Sequence, residues 1–280
     1  MTQRSLLRRR LGVWRTTDLR AEGVSHDAIN QRIATGVLTR LGRGWYGSVF
    51  TPPAVSSALS RNARLTCASA ARVHGLWVPP DLGTHCVSRR PAPGELEEFT
   101  TRHRPFLRQW PDDEPVMPLR LTLLHAAHCL APEHTAVLLE SARERRLLDA
   151  DDIECLLTAV PQRTRRDIGE VQASAGSGSE TRVRRYLERK GVKVRAQAVL
   201  HAVGRVDLLV GDRLIIECDS RAHHTSPEAY QTDRLQDAMS LREGFLVLRL
   251  TWESIWLRWE ETQELLDSLI RRKVHRGSRL

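Results

Sequence analysis

Three carboxylates interrupt a stretch that is otherwise built for burial. From Arg205 to His224 the chain reads Arg-Val-Asp-Leu-Leu-Val-Gly-Asp-Arg-Leu-Ile-Ile-Glu-Cys-Asp-Ser-Arg-Ala-His-His, two short apolar strands around a turn, with Asp207, Glu217 and Asp219 inside them. Leu208, Leu214, Ile215 and Ile216 mark buried positions, where paired acids are unusual. Two carboxylates about 4 Å apart repel by roughly 4 kcal/mol at an effective dielectric of about 20. Such a group shares a proton or holds a cation. Oxygen ligands with few soft atoms suit Mg²⁺ or Mn²⁺, whose chemistry would be to lower the pKa of an attacking water and to stabilise charge developing on a phosphate.

Register decides whether these acids meet. A two-residue turn sets Asp207 opposite Ile216 and sends Glu217 to the other face. A three-residue turn, Gly211-Asp212-Arg213, pairs Asp207 with Glu217, and period-two alternation then puts Asp219 on the same face. The odd-length turn is the expectation. Glu180 can join from a preceding helix and Gln197 from the neighbouring strand, while His224, just past the second strand, is placed to act on a water or a leaving group. The competing reading is a surface hairpin whose acids pair with Arg205, Arg213 or Arg221.

The elements that must position these residues read as a helix over 180–190, a strand over 192–200, the hairpin, a helix over 227–243, a strand over 245–250 and a helix over 252–272. That is an α/β unit with a mixed sheet. Gln172-Ala-Ser-Ala-Gly-Ser-Gly-Ser179 before it has linker composition and lacks the Gly-Lys-Ser/Thr of a phosphate loop.

At the other end, residues 1–50 are small and basic. Thr16 reads as a helix cap with closure at Gly23, and Ser25, Asp27 and Gly36 repeat the pattern, predicting a helix-turn-helix. Residues 37–46 alternate and turn at 42–44, as the wing of a winged helix would. In that arrangement the second helix enters the major groove, with Ser25, His26, Asn30, Gln31 and Arg32 toward bases and phosphates and Arg40 and Arg43 on the backbone. A small helical adaptor with a solvated polar face is the alternative. Residues 51–170 read as five helices around a strand over 84–89, with a proline-rich loop over 91–118. His125 and His128, at i and i+3 without a third ligand at metal spacing, read as packing or partly exposed residues.

Forty-three Lys and Arg against 34 Asp and Glu, a net charge of +9, fit a polyanionic partner. The five cysteines are scattered and never form Cys-x-x-Cys, which argues against a disulfide framework or a zinc ribbon and for reduced, mostly buried thiols. No segment is apolar enough to span a bilayer and the N-terminus lacks a signal-peptide pattern, so a cytoplasmic protein without a membrane partner is the expectation.

The ordered set Glu180, Gln197, Val206-Asp207, Ile216-Glu217-Cys218-Asp219 with His224, Asp233-Arg234 and Gly244-Phe245-Leu246-Val247-Leu248-Arg249 resembles the PD-(D/E)XK nuclease superfamily in its Vsr-like (very-short-patch-repair-like) branch. The resemblance implies a restriction-endonuclease-like mixed sheet flanked by helices over 180–280. It implies Asp207 and Glu217 as principal metal ligands, Glu180 as a supporting acid and His224 as an acid/base, within a catalytic group that includes Asp219 and Gln197. Asp219 stands where the superfamily usually has lysine, and Ser220 where this branch commonly has glycine. Thr16-Thr-Asp-Leu19 and Leu41-Gly-Arg-Gly-Trp-Tyr46 resemble the winged-helix domain of AbiEi-type antitoxins, with 51–170 similar to their following domain and 171–179 as linker. The expected fold class is therefore α/β (α+β), with a helical middle domain between the two ends. Two functions follow. One is an Mg²⁺- or Mn²⁺-dependent endonuclease acting on double-stranded DNA, in defence or DNA repair. The other is an AbiEi-like antitoxin and transcriptional regulator with a non-cleaving nuclease-like domain and a cognate toxin as partner.

Overall fold

A computed structural model describes residues 3–89, 97–106, 110–219 and 227–277. Among the described residues the fold is α+β, with 13 helices and three sheets. It divides into one unit of Met1–Leu76, Asp81–Ala131 and Cys155–Arg165 and another of Trp77–Pro80, Pro132–Glu154 and Arg166–Leu280.

The first unit begins with α1 (Gln3–Arg10), β1 (Val13–Arg15), α2 (Thr16–Ala21), α3 (His26–Ala34) and a hairpin of β2 (Thr39–Gly42) and β3 (Trp45–Gly47). The three strands form an antiparallel sheet in the order β1-β3-β2. Leu19 of α2, Ile29 of α3, Leu38 and Tyr46 bury together, which holds both helices through their apolar sides. Ser25 caps α3, its Oγ accepting from the Ala28 N–H at 3.2 Å. Thr16 does not cap α2. Arg15 is extended because it pairs with Trp45 in the sheet, so the helix starts directly after it, and the Arg15 N–H donates to Asp18 Oδ2 at 2.9 Å.

There follow α4 (Pro53–Ser60), β4 (Ala63–Leu65), α5 (Cys67–Val73), β5 (His85–Ser88), β6 (Thr101–His103) and α6 (Leu119–Cys129). Strand β4 runs antiparallel to β5 and β6 parallel to it. The sequence pattern does not reveal β4 or β6, because three residues are too few to show alternation. Next come α7 (Pro132–Glu144), α8 (Ala150–Thr158) and α9 (Gln162–Ile168).

The remaining elements are α10 (Gly178–Arg189), β7 (Val194–Leu200), β8 (Gly204–Val210), β9 (Leu214–Asp219), α11 (Pro227–Arg242), β10 (Leu246–Thr251), α12 (Trp252–Trp256) and α13 (Trp259–Arg271). They make a mixed sheet in the order β10-β9-β8-β7, with β10 parallel to β9 and the other pairs antiparallel. One face packs Leu208, Val210, Leu214 and Ile216 on Val183 and Leu187 of α10, and on Ile255 and Leu266. The other packs Val206, Leu209, Ile215 and Phe245. No helix of the described residues is long and apolar enough to cross a membrane.

The segment 172–179 is tied down at its C-terminal end. Ser177 caps α10 by accepting from the Glu180 N–H at 3.2 Å. Gly178 and Ser179 are buried within the helix, and a Cβ on Gly178 would sit 3.1 Å from Val137 and 3.3 Å from Trp77. Small residues here allow close packing where their composition alone reads as flexibility. Helix α10 is fixed to α7 by a buried ion network. Glu140 receives both Nη2 contacts of Arg184, at 2.7 and 2.6 Å, and Arg185 Nη1 at 2.9 Å. This clamp sets the helix that carries Glu180.

Candidate active site

The turn between β8 and β9 has three residues, Gly211, Asp212 and Arg213, and pairs Val210 with Leu214, Leu209 with Ile215 and Leu208 with Ile216. Gly211 takes φ +59°, and a Cβ there would run into the His275 carbonyl, so the turn requires glycine. One further step in this register sets Asp207 opposite Glu217. The regular ladder ends before that step. The Asp207 N–H instead donates to Glu217 Oε2 at 3.3 Å, and the Cys218 N–H donates to Asp207 Oδ2 at 2.8 Å.

The sheet is twisted out of simple alternation at this level. Val194 and Ala196 pack on the α10 side, whereas Ala198 and Leu200 pack on the opposite side. Leu208 and Val206 divide in the same way on β8. Both strands therefore reverse their facing once, at Gln197 and Asp207, while their pairing continues from Ala196↔Leu208 to Ala198↔Val206. Gln197 absorbs the reversal with φ +49°, a left-handed conformation that costs a non-glycine residue about 1–2 kcal/mol. The consequence is that Asp207 and Gln197 turn toward Glu180.

Glu180 is buried at 4% exposure in the first turn of α10. Its Oε2 accepts from the Gly176 N–H at 2.7 Å and from Gln197 Nε2 at 2.8 Å, and Gln197 Nε2 also donates to Asp207 Oδ1 at 3.2 Å. A side chain on Gly176 would crowd this link, since a Cβ there would lie 2.9 Å from Gln197 Nε2 and 3.0 Å from Glu180 Oε1. Burial, and then the Asp207 charge, raise the pKa of Glu180 and push that of Glu217 up to about 7. Three acids from α10, β8 and β9 thus form one chain of contacts with Asp207 at its centre.

Asp219 is part of a second contact set. Its Oδ1 lies 3.5 Å from Arg249 Nη1 on β10, and Arg249 Nη2 donates to Asp237 Oδ1 at 2.8 Å. Arg249 is the parallel partner of Glu217 and helps to lower the Glu217 pKa. Its role is not visible from local spacing, because only the parallel docking of β10 on β9 brings it there. His224 lies outside the described residues. In the first unit Ser25, His26, Asn30, Gln31, Arg32, Arg40 and Arg43 are all exposed. Ser25 Oγ is engaged as a cap, and the Arg40 guanidinium lies 5.8 Å from the Tyr46 ring centre.

A second group of chemically able side chains was not foreseen. Cys67, His85, His103 and Cys129 each offer a ligand atom, all within 4.8 Å of one another, a set that can hold a metal ion. The residues are far apart in sequence, so no spacing motif announces them. His125 and His128 stay outside it. His125 Nδ1 is 2.6 Å from Thr66 Oγ1 and its ring stacks on Phe106 at 4.5 Å.

Two measurements test this geometry. Gln197→Gly should be more stable than Gln197→Ala by about 1 kcal/mol, since both remove the amide and only glycine relieves the left-handed backbone. Urea midpoints that favour the alanine variant would contradict the strain. For Glu217 the folded-state pKa lies above the ordinary value of 4.5, so its contribution to stability is fully present below about 4.5 and is lost as pH rises to about 7. The metal-free wild type should therefore lose stability relative to Glu217→Gln across that window, and parallel urea profiles for the two proteins would exclude the shift.

No protein-family model matches the chain, and a search of curated proteins finds no significant match.

Proposed function

We propose that this protein is a metal-dependent DNA endonuclease of the Vsr-like PD-(D/E)XK type, with an N-terminal winged helix that engages double-stranded DNA. The observation that carries the reading is the meeting of Glu180, Asp207 and Glu217, from three separate elements, through Gln197 and two backbone N–H groups. The donor set is all oxygen and anionic, which fits Mg²⁺ or Mn²⁺. A bound cation would neutralise these acids, activate a water and stabilise charge on the scissile phosphate. Asp207 and Glu217 present the principal oxygens, and Glu180 is oriented by Gly176 and Gln197. Arg249 brings to the neighbouring strand the positive charge that Asp219 does not supply, held by Asp219 and Asp237. His224 is assigned as the proton donor or acceptor.

The order α1-β1-α2-α3-β2-β3 and the exposed polar side of α3 support the winged-helix assignment. A net charge of +9 supports a nucleic-acid partner. We assign the residues that follow to an AbiEi-like domain. The second reading, an antitoxin-like regulator that binds DNA without cutting it, is favoured by one observation: Asp219 sits where lysine is usual and pairs with Arg249. Plasmid nicking in Mg²⁺ or Mn²⁺, beside Asp207→Ala and Glu217→Ala, separates the two. Cleavage by the wild type alone supports the nuclease. Operator binding with the DNA left intact in every metal supports the regulator.

A further inference from the structure

We propose that Cys67, His85, His103 and Cys129 form a closed tetrahedral zinc site that holds the sheet β4-β5-β6 to helices α5 and α6. Each ligand comes from a different element: the first turn of α5, the start of β5, the end of β6 and the end of α6. His85 Nδ1 is 3.1 Å from His103 Nε2 and 3.8 Å from Cys129 Sγ. A tetrahedral zinc with bonds of about 2.0–2.3 Å needs ligand atoms about 3.3–3.8 Å apart. The outer separation of 4.8 Å contracts to that range with side-chain movement of about an ångström.

The histidine chemistry is arranged for this use. His85 Nε2 donates to the Leu82 carbonyl at 2.6 Å, which fixes the tautomer that leaves a lone pair on Nδ1, facing His103 Nε2 and Cys129. The His85 N–H is in turn held by Ser69 Oγ at 2.8 Å, and the Thr66 N–H donates to the His85 carbonyl at 3.1 Å, so the backbones carrying Cys67 and His85 are locked together. Cys67 adopts φ +50°, a strained conformation at the helix start. Two thiolates and two imidazoles are the donor set of zinc and exclude the hard cations assigned to the carboxylate site. Four protein ligands leave no open position, so the role is structural. Exposed Cys129 provides the route by which the ion enters, and binding releases the two thiol protons to solvent.

The test uses the full chain, purified under reducing conditions and dialysed to remove loose metal. Elemental analysis should find about one zinc per chain, retained in Asp207→Ala and lost in Cys67→Ser and Cys129→Ser. If those variants fail to fold, wild type stripped with a chelator and titrated with Co²⁺ should develop the intense visible absorption of a tetrahedral thiolate site and regain its thermal midpoint. Loss of either cysteine should lower affinity by more than the roughly 10–100-fold expected for an outer-shell partner. Wild type that holds no zinc and gives no tetrahedral cobalt spectrum would overturn the proposal. Zinc retained equally by Cys129→Ser, or a non-reduced mass showing a Cys67–Cys129 disulfide in the freshly isolated protein, would do so too.

Discussion

Under the proposed nuclease function, Asp207→Asn should reduce metal-dependent DNA cleavage by about 10³-fold or more while leaving the fold intact. The side chain keeps its size and an acceptor for the Cys218 N–H and gives up the longer bond from Gln197 Nε2 at 3.2 Å, so the loss falls chiefly on charge. Asp207 is the central acid, linked to Glu180 through Gln197 and to Glu217 through its own N–H. A metal-bound phosphate draws several kcal/mol of transition-state stabilisation from its cation, and each 1.36 kcal/mol is about a factor of ten in rate. Single-turnover cleavage at saturating Mn²⁺, with the urea midpoint measured in parallel, checks both halves. Cleavage within about tenfold of wild type would remove Asp207 from the metal site.

The second large effect concerns stability. Glu140→Ala should destabilise the protein by about 3–5 kcal/mol, because it strands buried guanidinium groups without their counterion. Arg184 and Glu140 have side chains only 1% exposed, and Arg185 shares the same carboxylate at 2.9 Å. Glu188 remains as a partner for Arg184 at 2.6 Å, but at 31% exposure it cannot replace the buried charge. The measurement is the shift in urea midpoint with an unchanged dependence on denaturant. A loss below about 1 kcal/mol would mean that the network is solvated in solution. Glu140→Leu combined with Arg184→Met and Arg185→Leu should recover much of the loss, because an apolar cluster carries no desolvation penalty.

The carboxylate hairpin was legible because its chemistry is local: alternation over a dozen residues and the length of one turn decide which acids oppose each other. The odd-length turn follows from that, and with it the pairing up to Leu208↔Ile216, beyond which Asp207 and Glu217 meet through side-chain contacts rather than a ladder pair. The reversal at Gln197 and Asp207 was not legible, since a left-handed residue within a strand leaves no compositional mark unless it is glycine or asparagine. On β9 alternation holds, with Leu214, Ile216 and Cys218 all packing on the α10 side, so Asp219 keeps the facing of Glu217 and meets Arg249 there. Arg249 and the cysteine–histidine cluster were hidden for the same physical reason. Their partners come from elements that meet only in the tertiary fold, and β6, which carries His103, is too short to announce itself as a strand. At Gly178 and Ser179 composition conceals the outcome for a different reason, because glycine and serine serve tight helix packing as well as they serve flexible chain.

The Glu140 clamp also bears on how such a sequence can be exchanged between proteins. A recombination point in the Gly/Ser stretch would transfer the whole carboxylate sheet yet leave behind the acid that neutralises Arg184 and Arg185. The heritable module is therefore discontinuous: it must bring Pro132–Glu144 with it, or arrive together with new apolar residues on α10.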